Sequence, residues 1–259
     1  RRIVRALGIA CTIDGPTPIA AGRSLAVVSN HLSYLDILIY SAIRPFIMVA
    51  KSEVRDWPLI GWITAQAGTV YVERADLAGG RTQTRGQVNT LMAEAFRSGL
   101  PVLFFPEGTT SHGAAVLPFR GGLFHSVIRG RVPLQAAAIA YSLDGFDDQT
   151  SIAQHICYWG EMNFAPHLFR CLGVQGLQAH VQFGEEEWMS DDRFTLALAA
   201  HEQVAGLYAA PHSAHAVAAA RSEAAMAADR RSDSGAIDNG RPLAGEEHAG
   251  LPAWMRRLS

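Results

Sequence analysis

Short apolar, β-branched runs recur through the first 185 residues, separated by longer stretches whose apolar positions fall three or four apart. The runs LAVVS (25–29), FIMVA (46–50), TVYV (69–72), PVLFF (101–105), QAAAIAY (135–141) and QAHVQF (178–183) predict strands, since branched and aromatic side chains suit a pleated surface. Residues 34–43, 58–66, 81–98, 120–129 and 191–209 predict helices. The segment 81–98 has the clearest pattern: Thr84, Val88, Leu91, Ala95 and Phe96 mark one face, and Gly99-Leu100-Pro101 stops it. Strands alternating with helices predict an α/β layer structure.

From Pro211 the pattern fades. Ala, Ser, Gly and Arg dominate as far as Leu251-Pro252-Ala253-Trp254, too little apolar surface to offset the entropy of ordering, so 211–259 is expected to be a mostly disordered tail. A short amphipathic element is expected around Trp254-Met255-Arg256-Arg257. With 259 residues, 49% of them hydrophobic, the chain can bury one sizeable core, which we place at 24–210, after an amphipathic, membrane-proximal segment at 1–23. No run reaches the about 20 consecutive apolar residues of a membrane-crossing helix. The sequence opens abruptly on RRIVRALGIACTI without Met, so an anchor upstream of it is expected to be possible.

Charge changes this picture little. Residues 1–150 hold 14 of the 22 Lys/Arg and 11 of the 24 Asp/Glu, a surplus too small to establish a phosphate or an anionic lipid as partner. Cys11, Cys157 and Cys171 are odd in number and widely spaced, so they read as buried apolar residues, with neither a disulfide nor a zinc framework.

Candidate chemistry gathers at the ends of the predicted strands, where sites in α/β proteins usually lie. Asn30-His31-Leu32-Ser33-Tyr34-Leu35-Asp36 follows the strand 25–29. Five residues of continuous helix would turn His31 and Asp36 about 140° apart. They meet only if His31 stands in the turn before a helix starting near Ser33, capped by Asn30 or Ser33. Asp36 then fixes one imidazole nitrogen and leaves the other free to take a proton from an alcohol. No GxSxG elbow is present, so the nucleophile would come from the substrate. Phe105-Pro106-Glu107-Gly108-Thr109-Thr110-Ser111 follows 101–105 as a tight turn with one carboxylate and three hydroxyls. Arg74 follows 69–72, and Lys51, the chain's sole lysine, follows 46–50. Each has a plain reading of its own: a capped helix with an incidental His, a simple turn, a surface ion pair of Arg74 with Glu73 or Asp76. Their convergence on strand ends is what favours a site.

Taken in order, NHLSYLD (30–36), GTVYVER (68–74), FPEGTTS (105–111) and VPLQAAAI (132–139) resemble the four motifs of the glycerolipid acyltransferase family, which includes 1-acylglycerol-3-phosphate acyltransferases. The resemblance covers roughly 24–185. Tyr71 stands where the family usually has Phe, and the fourth motif rests mainly on Pro133. It implies a single α/β domain with a mixed central sheet flanked by helices. It also implies His31 as catalytic base, Asp36 as its orienting partner, and Arg74 and Lys51 as basic groups for the acceptor. Glu107, Gly108 and Thr109 would form the acceptor-binding turn, with Pro133 a structural residue near the acyl pocket.

The implied reaction moves a fatty acyl group from acyl-CoA or acyl carrier protein to the free hydroxyl of a lysolipid, with no metal and no cofactor beyond that co-substrate. The acceptor read first is 1-acylglycerol-3-phosphate, giving phosphatidic acid. Residues Tyr158–His167 also resemble bacterial relatives acting on lyso-ornithine lipid, which would present a carboxylate to Arg74 and Lys51. Such substrates imply a membrane surface as partner, on the cytoplasmic face of the inner (plasma) membrane, held peripherally or by an anchor outside this sequence. Paired Trp57 and Trp62 beside Arg55 fit an interfacial segment as well as core packing. Two rivals remain: a lipid ester or thioester hydrolase using the same pair on water, and a non-catalytic lipid-binding module. His212 and His215, in the tail, lack companions for a metal site.

Overall fold

The computed structural model describes residues 1–18, 24–56, 61, 64, 69–72, 85–144, 150–188 and 190–209, all within one compact unit, Arg1–Ala214. In chain order the elements are α1 (Arg2–Ala6), β1 (Ala10–Asp14), β2 (Ala26–Ser29), α2 (Leu35–Ile43), β3 (Ile47–Lys51), β4 (Val70–Val72), α3 (Arg85–Arg97), β5 (Val102–Phe104), α4 (Phe124–Gly130), β6 (Leu134–Leu143), α5 (Phe164–Leu172), β7 (Leu177–Trp188) and α6 (193–209).

Seven strands form one sheet in the order β1-β7-β6-β2-β5-β3-β4. From β6 to β4 all neighbours run parallel; β7 turns antiparallel on β6, and β1 runs parallel to β7. The sheet is therefore mixed. Its parallel centre is the buried part: every residue of β2 and β5, and the first eight of β6, are inside, as parallel strands covered on both faces must be. Since β2, β5, β3 and β4 share a direction, their C-terminal ends share a rim. The segments carrying His31 and Glu107 leave from it, and β3 ends there at Lys51.

The six expected strands are present, but three features differ from expectation. Residues 1–23 do not stand wholly apart from the domain: Ala10–Asp14 pair with Gln178–Gln182 as the edge of the sheet. All five residues of β1 are exposed, which is why its pattern was silent in the sequence, and Cys11 on it is exposed while Cys157 and Cys171 are buried. At Gly15 (φ 80°) a Cβ would lie 2.0 Å from the carbonyl oxygen of Phe183, so only glycine lets the chain leave β1 there. Next, α4 starts at Phe124 rather than 120, because Gly121-Gly122 are poor helix formers and the Arg120 N–H donates to Pro106 O at 2.9 Å. Finally, α5 and the turn Ile152–Ile156 occupy a stretch with no predicted element.

Of the predicted face of α3, Ala95 and Phe96 are buried and Val88 packs against the core, while Leu91 is half-buried and Thr84 lies outside the described residues; Met92, not on the predicted face, is fully buried. Helix α6 adds Leu196, Ala197, Ala200 and Val204 to the core. Among the described residues no helix is long and apolar enough to cross a membrane. The expected tail (211–259), and most of the expected helix 58–66 with Trp57 and Trp62, lie outside the described residues.

Candidate active site

His31 stands in the turn between β2 and α2, two residues past the strand. What holds it is mainly backbone geometry fixed by side chains. Asn30, fully buried, takes over the ladder position that β2 vacates: its Nδ2 donates to Ile139 O at 2.9 Å, and its Oδ1 accepts from Ile139 N at 2.8 Å. Ser29 Oγ donates to Asn30 O and accepts from the Tyr40 hydroxyl at 2.7 Å. The His31 N–H donates to Glu107 Oε1 at 2.9 Å, and its carbonyl accepts from Ser111 N at 3.0 Å. The ring stacks on Phe105, centroids 4.0 Å apart and planes 9° from parallel. Both faces of the loop are thereby tied, one to β6 and one to the segment after β5.

Asp36 lies in the first turn of α2, where a carboxylate is favoured by the helix dipole. Of the two expected caps Ser33 serves, by a long bond: its Oγ accepts from Leu35 N at 3.4 Å. Tyr34 makes no side-chain cap bond, Asn30 is committed to β6, and Asp36 itself reaches back to the free amides. Its Oδ2 accepts from Leu32 N at 2.7 Å and Ser33 N at 3.0 Å, and lies 2.7 Å from His31 Nδ1. Its Oδ1 accepts from the Tyr141 hydroxyl at 2.6 Å. Asp36 is fully buried, and such a charge is tolerated in the interior only when donors surround it. Because a carboxylate only accepts, Nδ1 carries the imidazole proton and Nε2 keeps its lone pair. The His31 side chain is 18% exposed and borders a cleft of about 370 Å³.

That cleft is walled by Tyr34, Ile37, Met48 and Phe105 on its apolar side and by Gly108, Thr109 and Thr110 on its polar side. Gly108 (φ 70°) turns the chain so that these residues face it. A Cβ on Gly108 would come within 3.2 Å of the Arg120 side chain. Glu107 does not line the cleft: 2% exposed, it lies beneath His31, with Oε2 lacking a hydrogen-bond partner among the described residues. Burial raises its pKa to about 8, and the nearby Asp36 charge adds to the rise, against the pull of the His31 and Leu117 amides.

The sequence expectations are thus divided by the structure. His31 and Asp36 meet, and Gly108 and Thr109 reach the same cleft. Glu107 supports the His31 backbone instead of facing an acceptor. Pro133 immediately precedes β6 at the opposite ends of the parallel strands, where its carbonyl accepts from Ala26 N at 2.9 Å, and so lies away from the cleft. Lys51 ends β3 beside Val72, at the expected rim, while its side chain and all of Arg74 lie outside the described residues.

The Acyltransferase family model matches residues 10–140, which is half of the chain and contains the whole His31–Asp36 and Glu107–Thr110 geometry. The chain belongs to the Acyltransferase family. A lyso-ornithine lipid O-acyltransferase of Brucella abortus is 37% identical over 186 residues, covering 69% of this chain and 68% of that one. A 1-acyl-sn-glycerol-3-phosphate acyltransferase of Neisseria meningitidis serogroup B is 30% identical over 198 residues, covering 76% and 73%. The chain spans about two thirds of the length of the curated relatives it matches. Among solved structures, the crystal structure of a 1-acyl-sn-glycerophosphate acyltransferase from Thermotoga maritima superposes with a TM-score of 0.56 at 19% identity. It covers 82% of this chain and 76% of that one, a likeness of fold.

Several contributors to this family site were missed in the sequence. Tyr141 carried a signal: a single polar tip at the end of the apolar run AAAIAY must find a partner when buried. His167 is another. Its Nε2 donates to Cys157 O at 3.0 Å, so its Nδ1 accepts from the hydroxyl of Tyr34, a cleft wall, at 3.1 Å. Burial holds the His167 pKa below the usual histidine value. Nothing in the spacing of residues 133 positions apart could have paired them.

Proposed function

We propose that this protein transfers a fatty acyl group from an acyl thioester to the free hydroxyl of a lysolipid, with His31 as general base. The observation that carries the reading is an imidazole whose Nδ1 is held on a buried carboxylate and whose Nε2 is left for a cleft with no serine or cysteine among its described walls. The nucleophile is then the acceptor hydroxyl. Its proton passes to Nε2 as its oxygen attacks the thioester carbonyl; the C–S bond breaks, and the leaving thiolate takes the proton back from His31. Asp36 steadies the transient imidazolium. With the Gly108 amide committed to Phe105 O, the backbone amides of Thr109 and Thr110 are the ones suited to hold the oxyanion. The thioester, acyl-CoA or acyl carrier protein, is a co-substrate, and this chemistry calls for no other cofactor.

For the acceptor we place lyso-ornithine lipid ahead of 1-acylglycerol-3-phosphate, because relatives of the first name reach 37% identity and those of the second 30%. Lys51 and Arg74 would receive the acceptor's carboxylate in one case and its phosphate in the other. Both lipids put the protein at a membrane surface, by our reading the cytoplasmic face of the inner membrane.

The test is acyl transfer by purified protein from a labelled acyl thioester to each lysolipid in parallel, with wild type and His31→Ala. Product on lyso-ornithine lipid that the substitution reduces by about a thousandfold, within the range for loss of a general base, supports the full reading. Product only on 1-acylglycerol-3-phosphate replaces the acceptor and leaves the mechanism. Thioester breakdown independent of either acceptor overturns the transferase reading in favour of a hydrolase.

A further inference from the structure

Only one of the two Asp36 oxygens is occupied by the loop that carries His31. The other accepts from Tyr141, which lies on β6, 105 residues further along the chain, and is 4% exposed. Tyr141 is itself fixed by the sheet, paired to Ala179 across the antiparallel β6–β7 ladder. Its hydroxyl is a committed donor: burial and the Asp36 charge push its pKa well above the usual tyrosine value. The remaining titratable groups around Asp36 come from every element packed on it: Tyr40 of α2, Glu107 after β5, Cys157, and Tyr208 of α6. All four are acids, neutral or negative in any protonation state, so none brings a positive charge to Asp36, and burial, which raises the pKa of each, favours the neutral form. The carboxylate is therefore oriented by dipoles alone: two amides, the imidazole N–H and one phenol.

We infer that Tyr141 is a positioning residue of the acyl transfer, fixing the Asp36 carboxylate so that its other oxygen stays aligned on His31 Nδ1 and tuning how strongly that carboxylate holds the imidazolium. The inference rests on the reading of His31 as general base. Two amides and the imidazole converge on Oδ2, so without the phenol only Oδ1 is left free of direction, and the carboxylate can rotate about its χ2 torsion. A carboxylate that has lost one donor is also a stronger acceptor for the remaining ones, and grips a protonated His31 more tightly. Tyrosine serving only as core volume would be replaced by phenylalanine without either consequence.

The experiment measures kcat, KM and the pH dependence of kcat for wild type, Tyr141→Phe, and protein carrying 3-fluorotyrosine at position 141, with His31→Ala as reference and thermal melting as a folding check. Tyr141→Phe is expected to lower kcat about tenfold, to leave both KM values within about twofold, and to move the acidic limb of the kcat profile to higher pH. Fluorotyrosine, a stronger donor of the same shape, is expected to move that limb to lower pH and keeps the test valid if the phenylalanine variant melts too low to assay. Opposite displacements by the two changes support the inference. A wild-type kcat and limb in folded Tyr141→Phe, or an unmoved limb with fluorotyrosine, overturns it while His31→Ala remains inactive. Activity surviving in His31→Ala overturns instead the reading on which it stands.

Discussion

The loop after β2 and the turn after β5 leave the sheet at the same rim and border the same cleft, yet they are held in different ways. In the first, Asn30 is locked to β6 by two hydrogen bonds and Asp36 gathers four donors. In the second, Gly108, Thr109 and Thr110 face outward from a turn closed by the Gly108 N–H to Phe105 O at 3.1 Å, with Thr109 exposed. Proton transfer tolerates little displacement of the base, so its support is buried and redundant. Contacts to an acceptor can be exchanged one by one, so that side is open. On this division proton transfer is set by the first loop, and acceptor preference is adjustable at the side chains of the second.

The division is broken most directly at Asp36. Asp36→Asn, which offers an amide where four donors converge, is expected to lower kcat by about a hundredfold or more and to lower the melting temperature, since buried donors lose their acceptor. A variant retaining most of the wild-type kcat would remove the first loop from the mechanism. Asn30→Ala tests the latch alone. It strips partners from both backbone groups of Ile139 and is expected to cost on the order of 2–4 kcal/mol in denaturant unfolding, with a loss of kcat of about tenfold. An unchanged unfolding midpoint would show that the latch is dispensable.

Glu107 sharpens the comparison through pH. Its carboxyl, near the ordinary value when unfolded and raised to about 8 when folded, keeps its proton longer in the native state. The stability this gives is complete below about pH 4.5 and declines as pH rises through 8. Glu107→Gln cannot ionise, so its unfolding free energy relative to wild type is expected to rise between pH 5 and 9, by on the order of a few kcal/mol. A flat difference across that range would mean that Glu107 is already charged in the folded protein. The smallest effect belongs to Thr109→Ala, expected to change acceptor KM by about two- to fivefold with kcat nearly constant; a large fall in kcat would place the Thr109 side chain in the chemistry.

Much of this was legible in the chain. The positions of β2, β3, β5 and β6 follow from apolar runs, and the meeting of His31 with Asp36 follows from where the helix must begin. Glu107 was misread because composition alone does not say which way a carboxylate in a tight turn points; here the His31 amide draws it inward. That Pro133 sits at the far ends of the strands from the His31 cleft was not legible, because motif order says nothing about which end of a strand a residue occupies. The edge strand β1 gave no pattern because all of its residues are exposed.

By itself the sequence determined the α/β alternation, the strand ends at which chemistry gathers, and the local His31–Asp36 pair, since each depends on periodicity or on residues within one turn of one another. Tertiary structure alone decided which oxygen of Asp36 meets Tyr141, where Asn30 spends its amide, and that His167 steadies Tyr34. Those pairings join residues more than a hundred positions apart. Strand order and register bring them within 3.1 Å or less, and no local pattern records either.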